Sequence, residues 1–292
     1  MRKLPTISIV TPCLNQAAYV EKTLLSIHSQ GYPHLEHIVM DGGSSDGSLD
    51  VIKRYSEKIR WVSERDAGQY QAIAKGFSLS TGEIMAWLNS DDIYLPGALH
   101  SVGEIFRDFP DIDWLTTRFP MAIDGNGAVI KIGCFSGFSR HHLLRGDYLP
   151  ACGWEAMGFI QQESTFWRRS LWEKSGGCFR ENLNFAGDYE LWSRFFLHAD
   201  LYGVDVPLGC FRRHEAQKTS LTFQKYLDEA LDVFIKSGGQ IPSARLQKIR
   251  MRLLEICGLS YGWRRRAVRV GLLRGIHNIT YDWGRSCWML EP

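Results

Sequence analysis

The chain has 292 residues, 45% of them hydrophobic and 23% charged, a composition that fits one large globular domain or a domain with an appendage. Its seven cysteines (Cys13, Cys134, Cys152, Cys178, Cys210, Cys257, Cys287) are odd in number and contain no C-x-x-C, which argues against a disulfide framework or a zinc cage and for a reducing, cytoplasmic setting. Charge is uneven: residues 245 to 285 hold ten Lys/Arg against Glu255 and Asp282, so about +8 falls there in a chain whose formal total is +2.

The N-terminal stretch MRKLPTISIV is basic and then apolar, but Pro5 and Thr6 interrupt it, so no secretory h-region is expected. Nor does any apolar run approach the roughly 18 residues of a membrane span. Apolar runs then alternate with helical-period segments. SIV (8 to 10) precedes a helix over 19 to 30, HIVM (37 to 40) a helix over 48 to 55, IRWV (59 to 62) a helix over 69 to 79, and IMAWL (84 to 88) closes the series. Leu24, Leu25 and Ile27 suit one helix face, as do Leu49, Ile52 and Tyr55. This order predicts an α/β, Rossmann-like, mostly parallel sheet flanked by helices, with ligands outside the carboxyl ends of the strands.

Those ends are polar: TPCLN, DGGSSDG, SERDAGQ and NSDD. Four such ends converging on one crevice describe a site for a nucleotide and a cation. Asp91 and Asp92 are adjacent acids beside a buried strand, where like charges repel unless a cation lies between them, and hard oxygen ligands with a phosphate suit Mg2+ or Mn2+. The competing role for Asp92 is capping the helix that follows Leu95-Pro96-Gly97. The DGGSSDGS loop is neither a P-loop nor a dinucleotide fingerprint; it offers Asp41 as an acceptor for a nucleobase N–H, or it is only a turn with Ser45 or Asp46 capping a helix.

Farther along, 112 to 118 and 128 to 133 are expected as strands on either side of an IDGNG turn, 185 to 199 as a helix entered near Asp188, and 201 to 214 as a strand ending in positive charge. Asp188 is placed either to cap that helix or to act as a general base at a pocket mouth. His214, after Arg212 and Arg213, is a metal or phosphate ligand or part of a solvated basic loop. Trp154, Trp167, Trp172 and Trp192 lie in the half expected to meet a second substrate, and position alone leaves sugar stacking and core packing open. Helical segments are expected over 222 to 236 and 243 to 257. The arginines 264, 265, 266, 269 and 274, interleaved with apolar residues, suit an anionic membrane surface or a solvated, partner-binding or oligomer-forming helix face.

The series ISIVTPCLNQAAYVEKTLLSIHSQ, HIVMDGGSSDGS, SERDAGQYQAIAKGF, GEIMAWLNSDDIYLPGAL, QQESTFWRRSLWEKSGG and FAGDYELWSRF resembles family 2 inverting glycosyltransferases of the GT-A fold, over roughly residues 6 to 220. The resemblance implies a GT-A domain over 1–220, with a nucleotide-sugar-binding half (about 1–110) and an acceptor half (111–220), followed by a helical basic C-terminal extension over 221–292. It implies nucleoside contacts from Thr11, Pro12, Asn15 and Asp41, a pocket lined by Asp66, Gly68, Gln69 and Lys75, and a D-x-D element on Asn89, Ser90 and Asp91 followed by Asp92. Asp91, Asp92 and His214 would hold Mn2+ or Mg2+, and Asp188 would be the acceptor base. The implied partners are a nucleotide-sugar donor, UDP first, and a saccharide or lipid-linked saccharide acceptor in bacterial surface polysaccharide synthesis, with peripheral contact at the inner face of the cell membrane and no nucleic acid. Three departures from the family pattern stand out: Asn89 for the first acid, Gln71 and Ala74 in the QAIAKG segment, and Gly187 for the acid that commonly precedes the base. A catalytically silent nucleotide-sugar or glycan-binding module of the same fold is the alternative; a nucleotidyltransferase lacks a basic triphosphate loop, and a nucleic-acid-binding role lacks a motif.

Overall fold

A computed structural model describes residues 3–149, 158–215, 217–239 and 276–291. The first half follows the expected alternation: β1 (Ile7–Cys13), α1 (Val20–His28), β2 (Leu35–Asp41), α2 (Ser48–Arg54), β3 (Arg60–Ser63), α3 (Gln69–Leu79) and β4 (Ile84–Trp87). Every residue of β1 and β4 is buried, as a strand covered by helices on both faces requires. Pro12 is tolerated because β4 pairs with β1 only as far as Val10, leaving a single neighbour, β2, beside the last residues of β1.

After β4 come β5 (Ile93–Tyr94), α4 (Ala98–Asp108), β6 (Trp114–Thr117), β7 (Met121–Ile123), β8 (Val129–Ile132), α5 (Arg140–Leu144), a 3-10 turn (Gln162–Ser164), β9 (Phe166–Arg168), α6 (Arg169–Lys174), α7 (Gly187–Phe195), β10 (Leu201–Val204), β11 (Gly209–Arg212), α8 (Lys218–Lys236), β12 (His277–Asp282) and β13 (Cys287–Leu290). Nine strands form the main sheet in the order β13-β12-β10-β6-β9-β4-β1-β2-β3, and β5-β11-β7-β8 form a smaller one. Only β9 and β13 run against the main sheet's direction, so the mostly parallel expectation holds.

Three expectations are corrected. The IDGNG turn joins β7 to β8 in the small sheet, whereas β6 belongs to the main one. The segment 201 to 214 is two strands in different sheets, broken by the bend at Asp205, Val206 and Pro207. The extension beyond residue 220 is not helical throughout: α8 buries Ala230, Val233 and Phe234 in the main core, and β12 and β13 complete the main sheet. Glu291 and Asp205 both pair with the buried guanidinium of Arg118, which fastens that terminal hairpin to β6 and β10. The expected helix over 243 to 257, the arginines 264 to 274 and Trp154 lie outside the described residues.

The core lies on both faces of the sheet. On one, Trp87, Trp114, Trp167 and Trp192, each at most 1% exposed, pack ring to ring at 5.6–5.7 Å. Trp167, Trp172 and Trp192 are thus core residues, out of reach of a sugar. On the other face α1 and α4 cover Ile7, Ile9, Ile84 and Ala86. Leu25 does not share the buried face of α1; it is 50% exposed.

Candidate active site

Three pieces meet at the carboxyl ends of β1 to β4. The first is a cavity of about 250 Å3 lined by Met40, Asp41, Glu64, Arg65, Asp66, Gln71, Ala72 and Lys75. Asp41 ends β2 and is buried; it accepts hydrogen bonds from the Ser63 hydroxyl (2.6 Å) and the Gly43 and Ser44 amides (3.2 Å). A side chain at Gly42 would place its Cβ 2.8 Å from the Asp66 carboxylate, so the glycine lets the loops after β2 and β3 close on the cavity from two sides. Asn15, with φ +52°, ties the loop after β1 to the same wall: its amide N–H donates to the Ser44 hydroxyl and its side chain accepts from the Ser45 amide, both at 2.9 Å. Asp66 accepts from the Gly68 amide at 2.9 Å at the entry to α3, and Lys75 pairs with Glu64 at the rim. The sequence pointed to Asp41, Asp66 and Lys75; Glu64 and Arg65 stand in the SERDAGQ strand end and Gln71 in the QAIAKG segment, and they become lining residues because α3 packs beside the loop after β3.

Thr11 and Ser90 do not line this cavity. The Thr11 hydroxyl is 2.9 Å from the ring of His37, whose other nitrogen is 3.0 Å from His28. Burial, then the neighbouring His28, pushes the His37 ring down to about 3. Ser90 is buried and hydrogen-bonds the Cys13 thiol, which burial pushes up to about 11. Pro12 is buried at the end of β1.

The second piece is the NSDD segment between β4 and β5, where the two sheets meet. Asn89 is held by three side chains: Gln69 donates to its oxygen at 2.7 Å, while its nitrogen donates to Asp92 at 3.2 Å and to Gln162 at 3.4 Å. Gln162 in turn donates to the Trp87 carbonyl at 2.6 Å. Asn89 and Gln69 therefore brace the segment. Asp92, 1% exposed, is turned away from the crevice, with its oxygens accepting from the Arg212 amide at 2.8 Å and from Asn89. That places Asp92 as the clamp between β4 and β11, and neither a helix cap nor an outward-facing ligand. Burial, then the charges of Asp91 and Glu163, raise its carboxyl well above the usual range.

Asp91 points the other way and meets the imidazole of His214 at 3.0 Å across the rim. His214 is steadied by Tyr19, centroid to centroid 4.4 Å, and Arg212 holds the Asp91 carbonyl at 2.7 Å. Tyr19 is invisible to motif reasoning because it comes from α1's approach, more than 190 residues from His214 by sequence numbering.

The third piece is Asp188 on the first turn of α7. Its carboxylate accepts from the Tyr189 amide at 2.8 Å. Burial, partly offset by that amide and other donors, pushes its carboxyl up to about 6. Gly187 has a physical reason: a Cβ there would lie 2.7 Å from the Tyr70 ring, whose hydroxyl donates to the Phe185 carbonyl at 2.8 Å. Glu163, from the 3-10 turn, is a further carboxylate near both Asp91 and Asp188. It is buried, accepts from Gln161 at 2.7 Å, and is pushed up to about 7, by burial first and by the charges of Asp188 and Asp91 among the rest.

No group of three or more His, Cys, Asp or Glu suited to a metal occurs among the described residues. Asp91 and His214 supply one carboxylate and one imidazole at a common rim, a donor pair that fits a divalent ion completed by diphosphate oxygens and water. No helix among the described residues is long and apolar enough to cross a membrane.

Residues 8–120 match the family described as Glycosyl transferase family 2. By this match, residues 8–120 are a family 2 glycosyltransferase region. Over 230 residues it is 25% identical to an uncharacterized glycosyltransferase of Rickettsia prowazekii, covering 79% of this chain and 70% of that protein. Of several other curated relatives it spans 34% to 39% of the length. The fold is GT-A. S. aureus TarS 1-349, crystallised with UDP-GlcNAc, superposes with a TM-score of 0.62 at 17% identity over 92% of this chain and 76% of that one. The mannosyltransferase PcManGT from Pyrobaculum calidifontis, with GDP-Man and Mn2+, does so at 0.56 and 17% over 92% and 74%.

Proposed function

We propose that the protein is an inverting glycosyltransferase that moves a sugar from a nucleotide-diphosphate sugar, with UDP the leading nucleotide, to a hydroxyl of a saccharide or lipid-linked saccharide in bacterial surface polysaccharide synthesis. The observation that carries this is the placement of α3, which lines the Asp41 cavity with Gln71, Ala72 and Lys75, braces Asn89 of the NSDD segment through Gln69, and meets the turn of Asp188 through the Tyr70 hydroxyl. The cavity at Asp41 and Asp66 takes the nucleoside, with Asp41 accepting from the base. Asp91 and His214 would hold Mn2+ or Mg2+, which when bound supplies positive charge to the leaving diphosphate. Asp92, Asn89, Gln69 and Gln162 keep that rim in place.

Asp188 takes the proton of the acceptor hydroxyl as its oxygen attacks the anomeric carbon from the face opposite the diphosphate. The carbon–phosphate oxygen bond breaks with its electron pair leaving on the nucleoside diphosphate, so one displacement inverts the configuration. A carboxyl raised to about 6 is a stronger base than an ordinary aspartate and is still mostly ionised at neutral pH. Work at the inner membrane face, aided by the basic segment 245 to 285, belongs to the same proposal.

Calorimetric titration with UDP, GDP, dTDP and CMP, with and without Mn2+, tests it on wild type and Asp91→Ala. One nucleotide should bind selectively, and Mn2+ should strengthen binding in wild type only. Absence of binding by every nucleotide to folded protein would refute the site.

A further inference from the structure

Helix α8 begins at Lys218, where the sequence resemblance fades and well past the matched residues 8–120. Its polar contacts are not those of a helix that merely packs. Three apolar side chains, Ala230, Val233 and Phe234, bury it against the core. On its other contacts, α8 reaches the turn that delivers Asp188. The Glu229 carboxylate accepts from the backbone N–H groups of Asn184 (3.1 Å), Phe185 (2.8 Å) and Ala186 (3.0 Å), three donors that no helix carbonyl satisfies at the entry to α7. One turn earlier, the Tyr226 hydroxyl neighbours the Asp188 carboxylate and, as a donor, holds its carboxyl down against the effect of burial. Phe159 meets the Tyr226 ring edge-on at 5.1 Å and 86°, which limits the directions that hydroxyl can take.

From this geometry we propose that α8 is a working part of the acceptor side: Tyr226 is a positioning residue for the Asp188 carboxylate, and Glu229 is a positioning residue for the turn that carries it. The proposal rests on Asp188 being the base. The base would then be held by the Tyr189 amide on α7, by Tyr226 and Glu229 on α8 and by Tyr70 from α3 beneath the turn, while Glu163 from the 3-10 turn faces it with like charge. Tyr226 and Glu229 act on the carboxylate in opposite senses. A donated hydrogen bond favours the ionised form, and a nearby negative charge disfavours it.

The test uses the full chain and three variants, Tyr226→Phe, Glu229→Gln and Asp188→Asn. Release of nucleoside diphosphate from a panel of UDP-hexoses, UDP-N-acetylhexosamines and GDP-mannose is followed from pH 5 to 9, with UDP and GDP binding measured alongside. Tyr226→Phe should keep nucleotide binding near wild type, lower kcat by about tenfold as a misplaced base does, and move the acidic limb of kcat to higher pH. Glu229→Gln should move that limb to lower pH. Profiles of both variants that superimpose on wild type after scaling would overturn the proposal, because a purely structural loss lowers activity equally at every pH. Tyr226→Phe removes one oxygen from a partly exposed ring, so its profile decides the matter even where Glu229→Gln fails to fold. Full turnover by Asp188→Asn is a separate outcome: it would overturn the base assignment itself.

Discussion

Gly187→Ala isolates the reason this chain lacks a side chain before its proposed base. The added Cβ would lie 2.7–2.8 Å from three atoms of the Tyr70 ring, closer than such contacts occur, so the ring must move. Gly187 is the first residue of α7 and is absent from the positive-φ positions, so alanine suits the backbone, and its better helix propensity would return up to about 1 kcal/mol. Against that stand about 1–3 kcal/mol for overpacking and about 1 kcal/mol if the Tyr70 hydroxyl loses the Phe185 carbonyl. The steric cost wins, and a net loss of about 1–3 kcal/mol is expected, or very roughly 2–10 °C in Tm for a chain of this size. Thermal unfolding of Gly187→Ala, Tyr70→Ala and the double variant measures the coupling: once the ring is gone, alanine at 187 should cost nothing. Turnover should fall in Gly187→Ala as well, since Asp188 is the next residue. Wild-type Tm and turnover in the single variant, or equal costs of Gly187→Ala with and without the ring, would refute the packing argument.

Asp188→Asn should lower turnover by about 10² to 10⁴, the usual worth of a positioned base, while nucleotide binding by calorimetry stays close to wild type. In the wild type, protonation of Asp188 removes the base, so kcat should decline as pH falls through about 6, and a flat profile down to pH 5 would contradict the assignment. Asp92→Ala strands the buried amide of Arg212 and removes one of the two acceptors of the Asn89 side-chain nitrogen, so chemical unfolding should show a loss of about 2–4 kcal/mol. That loss should persist with a chelator present, because it comes from the clamp between the sheets; a loss seen only with Mn2+ would assign Asp92 to the metal instead.

Much of the first hundred residues was legible because the parallel sheet writes itself as buried apolar runs alternating with helical periods, and each run ends in polar residues at the crevice. That pattern located β1 to β4, the helices between them, Asp41, Asp66 and the NSDD segment, and it located Asp188 at a helix entry. Which way each side chain turns was decided in three dimensions. Asp91 and Asp92 are adjacent and chemically identical, yet one faces His214 at the rim and the other is locked under the Arg212 amide, because β11 arrives from residue 209 onward and takes one carboxylate as its acceptor. Thr11 turns to His37 and Ser90 to Cys13 for the same kind of reason. Tyr19 and Glu163 lie within segments that resemble the family without being singled out by them, and Tyr226 and Glu229 lie beyond the resemblance; all four join the site through contacts between distant elements. The C-terminal hairpin was equally hidden, since β12 and β13 become strands of the main sheet by pairing with β10 and with each other. Local sequence determines which segments can be strands or helices and where polar groups interrupt them, because that depends on periodicity along the chain. Only the tertiary structure decides which polar groups face the ligand, because that depends on which distant donor reaches each one first.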